Sequence, residues 1–157
     1  MVAAGTVALA SLACHRGPAL PEGDIVAALA LPSLDGEAAP FDPETLRGKR
    51  VLLAFWSPSC PHCLKELPEL EAAASGHGNA TAVAVMLSGS KSKGLAIARE
   101  LGFTGPLLVD EDGALKKRFA IDRWPWTFVL RTDGTAAASL IGEHPRTRLV
   151  AELLNAN

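Results

Sequence analysis

The stretch Arg50-Val51-Leu52-Leu53-Ala54-Phe55-Trp56 is apolar from its second residue onward. A strand with one wet face alternates polar and apolar side chains. An unbroken run of this length fits a strand covered on both faces of a sheet. Ser57-Pro58-Ser59 breaks the run, and the pattern that follows predicts a helix from near Cys60 to about Ala74, stopped by Ser75-Gly76 and Gly78. Leu64, Leu67 and Leu70 share one face of that helix. Pro68 lies inside it, where a kink is expected.

The rest of the chain extends the same theme. Ala80 to Leu87 is a second buried strand, and Lys91 to Leu101 is a helix closed by Gly102. Pro106 to Asp110 is a short strand. Asp112-Gly113 turns into a short helix, Ala114 to Phe119. Trp126 to Arg131 and Thr135 to Ile141 are strands joined by Asp133-Gly134, a strong hairpin signal. Arg146 to Asn155 closes the chain as a helix. Residues 25–34 (IVAALALPSL) suggest a short β-ribbon, and Phe41 to Lys49 a turn or single helical turn. This order implies an α/β sandwich with a mixed sheet, parallel early and antiparallel at the end.

The N-terminus reads as an address. Residues 1–14 (MVAAGTVALASLAC) are apolar, but fewer than the about 20 needed to span a bilayer. They resemble the hydrophobic core of a secretory signal without its leading Lys or Arg. Leu12-Ala13-Cys14 resembles a lipoprotein signal in which Cys14 becomes the lipidated first residue, although Ser11 stands where Leu is usual. A differently cleaved export segment and an ordinary cytosolic terminus are the alternatives. Residues 15–24 (HRGPALPEGD) read as a linker to a domain at 25–157. With 48% hydrophobic and 20% charged residues, the 157-residue chain can build a packed core. Its net charge is -2 and it has no basic stripe, which argues against a nucleic-acid partner.

Of the three cysteines, Cys60 and Cys63 form a pair in Cys60-Pro61-His62-Cys63. Zinc needs about four ligands, and the sequence offers no second Cys/His cluster; His77 and His144 are isolated. A purely structural disulfide across so short a loop gains little entropy. A redox pair fits better. At a helix N-terminus, unpaired N–H groups and the helix dipole favour thiolate over thiol, and thiolate is the attacking species. Cys60 then attacks, and Cys63, one turn on, resolves. Pro61 has a φ suited to the first turn. His62 can place partial positive charge near the Cys60 sulfur, making the disulfide more oxidising. Glu66, one turn beyond Cys63, reads first as a solvated helix-face charge and second as a proton relay.

The chain resembles the thioredoxin superfamily, in particular the membrane-tethered TlpA/ResA-like thiol–disulfide oxidoreductases. The residues that carry this are 46–53 leading into Phe55-Trp56, the Cys60–Cys63 motif, Glu66-Leu67-Pro68, Trp124-Pro125-Trp126-Thr127-Phe128-Val129-Leu130 and Asp133-Gly134. The resemblance implies a thioredoxin fold with a short N-terminal β extension. It implies that Pro125 is cis and faces the cysteine pair, leaving the backbone at Trp124 to pair with an extended substrate strand. Trp124 and Trp126 either line a substrate groove or simply pack.

It further implies protein disulfide or dithiol clients on the extracytoplasmic side, apocytochromes or other maturing redox proteins among them. A membrane thiol donor or acceptor would exchange electrons with the pair, with no cofactor beyond the disulfide itself. Three departures stand out. Thioredoxin's acid six residues before the first cysteine is Ala54 here, and Ser59 replaces the common Trp before that cysteine. The Pro-His dipeptide resembles the oxidant DsbA, so the direction of transfer stays open. Two other functions remain. A peroxiredoxin-type peroxidase is matched by Ser57 three residues before Cys60 but not by Leu53 at the expected Pro position. A thiol-based Cu(I) module gets no support from Met1 or Met86.

Overall fold

A computed structural model describes residues 19–36 and 39–157. The signal-like segment with Cys14, and the first part of the linker, lie outside the described residues. In chain order the elements are β1 (Arg50–Trp56), α1 (Pro61–Ser75), β2 (Ala80–Met86), α2 (Lys91–Glu100), β3 (Leu107–Val109), α3 (Ala114–Arg118), β4 (Trp126–Leu130), β5 (Ala136–Ile141) and α4 (Arg146–Asn155). Short 3-10 turns at Val26–Leu29 and Pro43–Leu46 precede them.

The five strands form one sheet in the order β3-β2-β1-β4-β5. β1 pairs in parallel with β2, Arg50 opposite Ala80 through Trp56 opposite Met86, and antiparallel with β4. The mixed sheet expected from the sequence is therefore present, with β1 at its centre.

The unbroken apolar run of β1 feeds two cores. Leu52, Ala54 and Trp56 point to the layer of α1 and α4, where Leu67, Leu70, Leu149 and Leu153 are buried. Val51, Leu53 and Phe55 point the other way, to Ile25, Leu29, Phe119 and Phe128. There Phe55, Phe119 and Phe128 meet edge to face, with Phe128 5.6 Å from each of the other two ring centroids.

The ribbon expected across 25–34 is corrected. Ile25, Val26 and Leu29 are buried at helical rather than alternating spacing, so the segment winds into a 3-10 turn that covers the second face. Its only β pairing among the described residues is a single bridge from Ser33 to Leu108, beside which the Leu34 N–H donates to the Leu107 carbonyl at 2.8 Å. Pro32 has no N–H to extend that ladder and contributes only its carbonyl, which accepts the Val109 N–H at 3.0 Å.

Candidate active site

β1 ends at the middle of the sheet, and a tight turn carries the chain from Trp56 into α1. The Ser57 hydroxyl is buried, 3.0 Å from that of Ser59 and 3.2 Å from that of Ser88. The Cys60 N–H donates to the Ser57 carbonyl at 3.1 Å. Behind this turn, Gly89 holds φ at +105°, and a Cβ there would lie 2.8 Å from the Pro58 ring.

Cys60 is the N-cap of α1 with Pro61 at the first helical position. Its Sγ accepts the Cys63 N–H at 3.1 Å, so a free amide of the first turn points at the sulfur. Cys60 and Cys63 are joined as a disulfide with Cα atoms 5.2 Å apart. Cys60 is half-buried and Cys63 is only 1% exposed. Cys60 is thus the more accessible of the two sulfurs.

The Trp124–Pro125 peptide is cis, and the Trp124 carbonyl oxygen lies 3.8 Å from Cys60 Sγ. Pro125 is buried and Trp124 half-buried. The two tryptophans separate in role. Trp126 is buried and its Nε1–H donates to Ser139 Oγ at 2.7 Å, so it packs. Trp124 borders the Cys60 sulfur.

Glu66 is not a solvated charge. It is 1% exposed, because it falls on the buried stripe of α1 with Cys63, Leu67, Leu70, Ala73 and Ala74. The His144 N–H donates to Oε1 at 3.0 Å and the Thr127 hydroxyl to Oε2 at 3.5 Å. Burial raises its pKa to about 7; the two donors oppose the rise and the nearby Glu143 carboxylate adds to it.

His62 projects into solvent, its Nδ1 2.8 Å from Glu143 Oε2, with Lys65 Nζ 4.0 Å from the same oxygen. The His62 hydrogen bond, followed by Lys65, holds the Glu143 carboxyl below its usual range. Glu143, Thr127 and His144 reach the site through topology from about sixty to eighty residues away, and no local motif marks them. Among the described residues, no three His, Cys, Asp or Glu side chains converge as metal ligands would.

Comparison with known proteins places this geometry. Over 98 residues the chain is 31% identical to the soluble secreted antigen MPT53 of Mycobacterium tuberculosis, a match covering 62% of this chain and 57% of that protein. It is 30% identical over 103 residues to sporulation thiol-disulfide oxidoreductase A of Bacillus subtilis, covering 61% of each. The chain thus spans less than two thirds of these relatives. A solved structure of a secreted Mycobacterium tuberculosis disulfide oxidoreductase, described as homologous to Escherichia coli DsbE, superposes with a TM-score of 0.71 at 26% identity, covering 80% of this chain and 93% of that one. The fold is therefore that of thioredoxin-like proteins. Residues 23–139, which hold the whole of the cysteine turn and the Trp124–Pro125 bend, match the model of the AhpC/TSA family, and the chain belongs to that family.

Proposed function

We propose that the protein is a thiol–disulfide oxidoreductase that reduces disulfides of extracytoplasmic proteins. The observation that carries this is the Cys60–Cys63 bond at the mouth of α1, with the outer sulfur accessible and bordered by the Trp124 carbonyl. In the reduced protein the Cys60 thiolate attacks one client sulfur. The client S–S bond breaks, a Cys60–client S–S bond forms, and the departing client thiolate takes a proton. The Cys63 thiolate then attacks Cys60 Sγ, the mixed disulfide breaks, and the second client thiolate leaves and is protonated. Two electrons and two protons have passed from the dithiol to the client, leaving the disulfide form, which an external dithiol must reduce again.

Glu66, one turn from Cys63 and titrating near neutrality, supplies a group that can take up the Cys63 proton as that thiol becomes the resolving thiolate. The Glu143 carboxylate, held 2.8 Å from His62 Nδ1, offsets the positive charge that His62 would bring to the Cys60 thiolate. This favours a reducing direction over the oxidising one that the Pro-His dipeptide alone suggests. For the peroxidase alternative, the Ser57 hydroxyl lies 3.0 Å from that of Ser59 and accepts from that of Ser88 at 3.2 Å, and Leu53 still stands at the expected Pro position.

The extracytoplasmic setting is supported by relatives described as secreted. Among the described residues, no helix is long and apolar enough to cross a membrane. Tethering is assigned to a lipid on Cys14, which fatty-acid labelling lost in Cys14→Ala would support and equal labelling would reject. The central test is a redox titration of the cysteine pair with an insulin-reduction assay. A two-electron transition below roughly −200 mV with turnover is expected. A value near the roughly −120 mV of DsbA would reverse the direction, and no transition at all would end the reading.

A further inference from the structure

α3 is the short helix Ala-Leu-Lys-Lys-Arg at the rim of the site. Lys116 Nζ lies 5.2 Å from the centroid of the Trp124 ring, and the Trp124 carbonyl lies 3.8 Å from Cys60 Sγ. Lys116 and Lys117, with Gly113, Ala120, Ile121 and Asp122, line an open cavity of about 490 Å³.

The carboxylates of this segment are already engaged. Asp110 accepts the Leu115 and Lys116 N–H groups at 3.1 and 2.8 Å, and Asp112 accepts the Ala114 N–H at 3.0 Å. Glu111 pairs with Lys91, and Asp122 with Arg123. Neither Lys116 nor Lys117 has a carboxylate within ion-pair distance among the described residues. Ala120, the one non-glycine described residue with positive φ, at +52°, closes α3: its N–H donates to the Lys117 carbonyl at 3.2 Å and the Ile121 N–H to the Lys116 carbonyl at 2.9 Å, so the last turn holds both lysines in place.

We propose that this face receives an extended, cysteine-bearing segment of the client protein, and that Lys116 and Lys117 select segments with Asp or Glu close to the reacting cysteine. The proposal rests on the exchange reaction above. A client strand lying along Trp124 advances about 3.3 Å per residue. A carboxylate two or three residues from the client cysteine then reaches the ammonium groups across the width of one indole. The chain as a whole is weakly acidic, so the attraction is local and acts on encounter and register.

The test uses short disulfide-bearing peptides that differ only in having Glu or Gln at those flanking positions. Reduced wild-type protein is expected to reduce the Glu peptide roughly three- to tenfold faster than the Gln peptide at low ionic strength, with the ratio falling toward one in ~0.5 M salt. In Lys116→Gln/Lys117→Gln the ratio should fall toward one without added salt. Taking a ratio cancels the intrinsic reactivity of each peptide. A wild-type ratio of one, or the same preference in the double variant, overturns the proposal.

Two further arms separate it from the exchange reaction. Wild-type protein that cannot reduce bis(2-hydroxyethyl) disulfide, which is small and uncharged, would sink the exchange reaction itself. Binding of Cys→Ser versions of the two peptides to the oxidised protein, followed by tryptophan fluorescence, still tests the docking face. Equal affinities there reject it.

Discussion

At the scale of single residues, Glu66 combines burial with a titration near neutrality. Its folded pKa of about 7 lies above the 4.5 of the unperturbed group. Between those values the native state holds more protons than the unfolded chain, so stability falls as pH rises through that window. The span sets an upper bound of about 3 kcal/mol on the loss. Glu66→Gln keeps an acceptor for the His144 N–H and removes the charge. Urea unfolding of the oxidised variant should show a flatter pH profile, with stability at pH 8 relative to pH 5 improved by roughly 1–3 kcal/mol. An unaltered slope would place the buried charge elsewhere.

Glu66 was legible in the sequence to a degree: positions 63, 66, 67, 70, 73 and 74 form one helical stripe, and a Glu inside a stripe of Cys, Leu and Ala is buried. Leu64, which shares a face with Leu67 and Leu70 by spacing, draws the stripe off Glu66, yet Leu64 is only half-buried. Glu143 was not legible, because nothing local ties a loop residue after β5 to a histidine eighty-one positions earlier.

At the scale of elements, the turns are as tightly defined as the strands. Gly89, in the turn from β2 to α2, supports the Ser57-Pro58-Ser59 turn that aims Cys60. Gly89→Ala adds a methyl against the Pro58 ring and forces an L-residue into φ +105°. A loss of about 1–3 kcal/mol in unfolding stability is expected, with a slower Cys60 exchange rate as the turn shifts. A variant with wild-type stability and rate would show the contact to be dispensable.

Strands β1, β2 and β4 and helices α1, α2 and α4 were readable because long apolar runs and helical stripes encode burial directly. Residues 25–34 were not. Ile25, Val26 and Leu29 cover a face that exists only once Phe55, Phe119 and Phe128 are assembled, so tertiary packing decides their local form.

At the scale of the whole molecule, redox state and folding are linked by one thermodynamic cycle. A pair that is harder to reduce in the folded protein than in the unfolded chain must stabilise the fold when oxidised. The reducing direction therefore requires the oxidised protein to melt above the reduced one. A difference of 1 kcal/mol corresponds to roughly 2–8 °C for a domain of this size. Calorimetry on the two forms checks this, and a higher midpoint for the reduced form would mark an oxidant.

The parallel-then-antiparallel character of the sheet is legible from element order, because crossovers and a terminal hairpin dictate it, whereas the order β3-β2-β1-β4-β5 emerges only in the fold. Which distant loops meet at Cys60 follows only from the assembled sheet. The strand that delivers Cys60 is hydrogen-bonded on both edges and covered on both faces. Its amide protons should exchange with deuterium only when the entire domain opens. The sulfur is thus mounted on the stiffest ground the molecule has. Any movement that accompanies electron transfer must fall to what arrives from outside, Trp124 and the loop at 142–145. Deuterium uptake should differ there between the two redox forms and stay the same along β1.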